Sequence, residues 1–143
     1  MKQITSYEVE NYADVLAVGT GREPVAYQEY GSYQGDYLAI LKDEENLYVY
    51  KGSYGSCSGC DWLESERGWD SRGITKEKGE QYAANEKPFL TIPLDTLADI
   101  LERGTLPALL PANTRSFEEG DSKLEDLVAL LKTVVADNRR EAA

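Results

Sequence analysis

The 143-residue chain has no histidine. That single absence removes the usual neutral-pH general base, the usual nitrogen ligand of zinc, and every Ser-His or Cys-His catalytic pairing. An enzyme built on this sequence would have to work with carboxylates, lysine, tyrosine or cysteine. Cysteine is scarce too, with only Cys57 and Cys60 present, so neither a disulfide framework nor a four-ligand zinc site of cysteine and histidine alone can be assembled from one chain. No apolar run approaches the ~20 residues that cross a bilayer; the longest, at residues 89–94 and 127–135, fall far short, and the start Met-Lys-Gln-Ile-Thr has no apolar signal core. A cytoplasmic protein is the default expectation. Basic residues are outnumbered 15 to 26, for a formal charge of −11. Proteins that bind nucleic acid or anionic membranes without specificity are held there by clusters of lysine and arginine, which this chain does not provide.

The acidity is uneven. Residues 1–50 contain three basic side chains, Lys2, Arg22 and Lys42, against nine acidic ones, so this third carries −6 of the total. Such an asymmetry can steer a positively charged partner, or it can serve solubility alone.

The order of elements predicts one domain over residues 1–143 of class α+β: an antiparallel sheet of three to four strands packed against helices, with a long C-terminal helix. Tyr12, Val15 and Leu16 have the spacing of one helix face, ending at Gly19-Thr-Gly21. Three turn-bounded segments rich in aromatic and β-branched residues follow, at 24–30, 36–42 and 46–54, and read as a meander. On the second strand Leu38 and Ile40 oppose Tyr37, Ala39 and Leu41; on the third, Leu47 and Val49 oppose Tyr48 and Tyr50. One face packs on helices, and the tyrosine face is expected to be half exposed, with rings covered and hydroxyls wet. Residues 75–85 read as a polar helix interrupted at Gly79, residues 89–92 as a fourth strand, and Pro93 as the first turn of a helix to Arg103. Ser122 and Glu125 form a capping box for the last helix, whose stripe of Leu124, Leu127, Val128, Leu131, Val134 and Val135 covers the sheet or joins a second copy as a homodimer.

One loop is specified beyond what folding alone requires: Gly52-Ser53-Tyr54-Gly55-Ser56-Cys57-Ser58-Gly59-Cys60-Asp61, followed by Trp62. As a redox motif, Cys57 and Cys60 have the C-x-x-C spacing at the start of a helix, but the βαβ context is missing and Asp61 opposes thiolate formation. As a metal site they are half a ligand set, to be completed by a second copy or by Asp61 and Asp70. As an anion loop the turn offers backbone N–H groups at a helix start, yet it lacks the Gly-Lys-Ser/Thr of a phosphate-binding loop and has no cation between Lys51 and Arg67. As structure, the glycines make a tight crossover, the serines satisfy turn amides and the cysteines are small buried thiols. All four readings are open. Close carboxylates such as Glu64 and Glu66 do not face one another on a helix, so no catalytic residue is assigned.

Tyr54-Gly-Ser-Cys-Ser-Gly-Cys-Asp61, with Gln34-Gly-Asp-Tyr-Leu38 upstream, resembles a loop of small uncharacterised phage and prokaryotic proteins over residues 30–64. The resemblance brings no activity with it. It implies a modulator or inhibitor that occupies a basic surface on a host nucleic-acid-processing enzyme. The expectation is therefore a non-enzymatic acidic binding protein without a cofactor, meeting its partner through Glu29, Asp36, Tyr37, Asp43, Glu44, Glu45, Tyr48 and Tyr50. The alternative is a small-ligand, nucleotide or metal-binding protein centred on Ser53, Tyr54, Ser56, Cys57, Cys60, Asp61 and Trp62.

Overall fold

A computed structural model describes residues 7–31, 35–54, 73–103 and 124–142. Its centre is a four-stranded antiparallel sheet of order β2-β3-β4-β6, formed by β2 (Glu23–Gly31), β3 (Gly35–Lys42), β4 (Asn46–Tyr54) and β6 (Leu90–Pro93). A separate two-stranded pair joins β1 (Tyr7–Glu8) to β5 (Gly73–Ile74). Four helices complete the described chain: α1 (Tyr12–Thr20), α2 (Lys76–Asn85), α3 (Leu97–Arg103) and α4 (Leu124–Ala142). The class is α+β, as the order of elements predicts. No helix among the described residues is long and apolar enough to cross a membrane.

The two-residue period of β3 and β4 gives the sheet two apolar faces, and each is covered. Leu38, Ile40, Leu47 and Val49, with Leu90 and Ile92 of β6, look toward one side, where Leu97 of α3 and Leu127, Leu131 and Val134 of α4 close over them. Tyr37, Ala39, Leu41, Tyr48 and Tyr50 look toward the other, where Val9, α1 and Ile74 pack, with Tyr82 and Ala83 of α2 at the margin. The sheet is thus the middle of three layers. The expected half-exposed tyrosine face is in fact interior, because α1 and α2 lie on it.

Local chemistry explains where these covering helices begin and stop. The Asn11 side chain accepts from the Asp14 N–H at 3.1 Å and caps the helix, while the Asp14 carboxylate accepts from the N–H of Glu10, one residue before the cap, at 2.8 Å. α1 continues through Gly19 and stops at Gly21, whose φ of 76° is left-handed. Thr75 caps α2 through the Lys78 N–H, and the helix runs unbroken through Gly79, correcting the expected interruption. The reason is contact: Gly19 and Gly79 bring the two helix backbones together, and a Cβ on Gly19 would overlap the Gly79 carbonyl and lie 2.9 Å from Ala83 Cβ. The helix after Pro93 starts with a 3₁₀ turn, Leu94–Thr96, before α3 proper.

Candidate binding surface

The residues expected to form a partner surface divide sharply. Tyr37, Tyr50, Asp36 and Tyr48 are only 0%, 2%, 7% and 9% exposed, whereas Glu29, Glu44 and Glu45 are open to solvent. The four buried side chains cannot meet a partner in this fold, and that part of the expectation is corrected.

Each buried tyrosine has a structural task. The Tyr37 ring stacks on Tyr12 with centroids 4.9 Å apart and planes 3° from parallel, and Tyr27 and Tyr82 tilt against this pair. The Tyr37 and Tyr82 hydroxyls share a hydrogen bond of 2.6 Å. Burial pushes both phenols above their ordinary range, so both stay protonated. The ring of Tyr37 lies over Gly52 on the neighbouring strand, where a Cβ would stand 2.5 Å from ring carbons. Glycine at 52 is thus explained by packing rather than by a ligand loop.

Tyr48 and Tyr50 clamp a cation. The Arg22 guanidinium lies 3.5 Å from the Tyr48 ring centroid, and Nη1 donates to the Tyr50 hydroxyl at 2.6 Å. The Tyr48 hydroxyl donates in turn to Asp43 Oδ2 at 2.6 Å. Asp43 Oδ1 accepts from the N–H groups of Glu45 and Asn46, both at 2.9 Å. The Tyr48 hydrogen bond, then those two amides, hold the Asp43 carboxyl below its ordinary range. Asp43 therefore builds the β3–β4 turn, and in doing so it presents Glu44 and Glu45 outward at the tip.

Asp36 is paired as well. Its Oδ2 lies 2.8 Å from Lys51 Nζ, and both side chains are nearly out of solvent. The pair sits on the α4 side of the sheet beside Tyr30, whose phenol is raised first by burial, then by the charges of Asp126 and Asp36. Ser53 and Tyr54 end β4. The Tyr54 hydroxyl reaches across β3 to donate to the Tyr30 carbonyl at 3.1 Å. Ser56, Cys57, Cys60, Asp61 and Trp62 lie outside the described residues. Among the described residues no group of acidic or thiol side chains is arranged to hold a metal ion.

Sequence reasoning missed a cleft on the α3–α4 side. About 280 Å³ opens between the start of β2, Lys42, α3 and α4, floored by Val25, Leu47, Leu97 and Val134 and rimmed by Glu23, Lys42 and Asp137. Lys42 and Glu23 stand 3.9 Å apart at its mouth. An apolar body with a short polar end matches this chemistry. Its residues come from β2, β3, β4, the 3₁₀ turn, α3 and α4, so no local motif could have announced it.

Comparison of the chain with protein-family models, with curated proteins and with solved structures finds no match.

Proposed function

We propose that the chain is a non-enzymatic binding protein whose acidic surface engages a basic surface on another protein. One observation carries the reading. The described cations of the acidic amino-terminal part are held by their own chain, Arg22 on Tyr48 and Tyr50 and Lys42 near Glu23, as is the next cation, Lys51, on Asp36, while Glu29, Glu44 and Glu45 face solvent. Local positive charge is thus spent internally and the outer field is negative, the arrangement that speeds encounter with a basic partner. The finer form of the proposal is a modulator that occupies the nucleic-acid-binding face of a processing enzyme, since that face is basic by necessity. The buried tyrosines take no part in it.

The test is fluorescence anisotropy of a labelled Lys/Arg-rich peptide at low and high salt, with the wild type and with Glu29, Glu44 and Glu45 all changed to Lys. Roughly tenfold or greater weakening is expected from either change. Absence of binding at low salt, or affinity indifferent to both changes, refutes the reading.

A second reading, a small-ligand protein, is favoured by the 280 Å³ cleft. A medium-chain fatty acid or alcohol that raises the melting temperature in the wild type, but not in Val25→Trp, supports it; equal shifts in both remove it.

A further inference from the structure

Among the described strands, β2 lies at the margin of the sheet and pairs on one side only, with β3. Among the described residues, no backbone hydrogen bond reaches its other side. Two side-chain contacts reveal which backbone groups point there. The Tyr30 carbonyl accepts from Tyr54, which comes across β3, so Tyr30 directs its backbone inward. The Glu29 carbonyl instead accepts from the side-chain amide of its neighbour Gln28 at 3.1 Å, off the ladder. Because both backbone groups of a residue in an antiparallel pair point the same way and the direction alternates, Tyr27, Glu29 and Gly31 turn their N–H groups to the open edge. The other end of the strand is closed to such pairing by Pro24, which has no N–H, and by the register shift between Pro24 and Ala26.

Carboxylates stand at both ends of this edge. Glu29 stands on the strand, exposed, and Asp126 of α4 lies close enough to raise the Tyr30 phenol. Glu23 and Asp137 flank the other end, where Lys42 stands 3.9 Å from Glu23 and offsets part of their charge. Edge strands of soluble proteins are commonly blunted by lysine, which pairs poorly with a basic newcomer; this one is blunted by carboxylates, which repel a second copy of the same acidic chain and attract a cationic strand.

Resting on the acidic-binder reading above, we infer that the β2 edge from Tyr27 to Gly31 accepts an extended, lysine- or arginine-bearing segment of the partner as a fifth antiparallel strand. Main-chain hydrogen bonds give the added strand its hold, and the exposed Glu29 selects its charge.

The probe is a synthetic ten-residue peptide alternating Val or Thr with Lys, beside the same peptide N-methylated at the amides that would face β2. Hydrogen–deuterium exchange of the full chain with the unmodified peptide is expected to slow at the Tyr27, Glu29 and Gly31 amides. The N-methylated peptide should bind at least tenfold more weakly, the loss of more than one hydrogen bond. Glu29→Gln removes the charge and keeps the N–H, whereas Glu29→Pro removes both; the proline is tolerated where the N–H faces solvent and should cost about a further tenfold. Should Glu29→Pro not fold, the exchange and N-methylation data decide alone. Salt-sensitive binding with no protection at these amides and equal affinity for both peptides overturns the edge proposal and leaves the acidic-binder reading standing. No binding of either peptide at low salt overturns both. Protection that grows with protein concentration without peptide, together with dimers in sedimentation, overturns the proposal in favour of self-pairing.

Discussion

Gly19→Ala tests the α1–α2 crossing by the sign of its effect. In an isolated helix the change favours folding by about 1 kcal/mol, since glycine is the poorer helix former. Here the new methyl group would overlap the Gly79 carbonyl and crowd Ala83 Cβ at 2.9 Å. The obstacle is backbone, which no rotamer change can relieve, so α2 must lift by about 1 Å, typical of overpacking that costs 1–3 kcal/mol. That shift also stretches the 2.6 Å Tyr37–Tyr82 hydrogen bond and loosens the Tyr12–Tyr82 ring contact, together worth about 1–2 kcal/mol. Net destabilisation of about 2 kcal/mol is expected, seen as a melting temperature lower by roughly 5–10 °C. Gly79→Ala should cost less, because its methyl meets the Val18 side chain first, Cγ1 at 2.8 Å, and the nearest backbone atom, Gly19 N, stands farther off at 3.1 Å. Gly21→Ala meets nothing within 4 Å but must hold a φ of 76°, costing about 1 kcal/mol through strain alone. Thermal unfolding with near-ultraviolet circular dichroism measures all three, and a Gly19→Ala chain as stable as the wild type or more so refutes the crossing.

Lys51→Met removes the cation 2.8 Å from the buried Asp36 carboxylate and should destabilise by about 3 kcal/mol, seen as a lower urea midpoint at unchanged slope; the double change Asp36→Leu with Lys51→Met should recover most of that loss. Gly52→Ala pushes a methyl into the Tyr37 ring and should cost about 1–3 kcal/mol, with most of it recovered when Tyr37→Leu is added. Asp43 is more acidic in the folded chain than its ordinary range, so its stabilising contribution is present above that range and disappears as pH falls through the folded value. Melting temperature measured from about pH 6 to pH 2 should fall less steeply for Asp43→Asn than for the wild type, and parallel curves would count against the turn's role.

The sheet was legible because its signals are local. Alternation in β3 and β4 sorts Leu38, Ile40, Leu47 and Val49 from Tyr37, Tyr48 and Tyr50, and Asp43 to Asn46 marks the turn between them. The burial of the tyrosine face was not legible, because it depends on helices whose own patterns are weak. α2 offers little more than Tyr82 and Ala83 to the core, and α1 mixes its apolar residues around Tyr12. A signal did exist: Gly19 and Gly79 each sit inside a helix, and a glycine kept there at a cost in helix propensity points to close packing. The charged residues carry a similar lesson. Asp36 and Asp43 both look like free surface acids in the sequence, yet Asp36 is buried against Lys51 of the next strand, a partner only the register supplies, and the exposed Asp43 ties a turn through Tyr48 and two local amides.

Moving the tyrosines inside changes what kind of interface this chain can offer. Protein interfaces usually draw their strength from buried aromatic anchors, and the rings that could have served, Tyr37, Tyr48 and Tyr50, are already committed to the core and to Arg22. What the amino-terminal part leaves outside is carboxylate and, along β2, main chain. Carboxylates alone give fast but salt-sensitive encounters with little discrimination among basic partners. Backbone edges give directional hydrogen bonds that hardly depend on salt and little on side-chain identity. A partner recognised by both must be basic and extended at once, a narrower class than either property defines, so salt should weaken the complex mainly by slowing association while N-methylation of the added strand speeds dissociation. Stopped-flow rates separate the two effects, and N-methylation that altered only the association rate would show that the edge contributes no lasting contact.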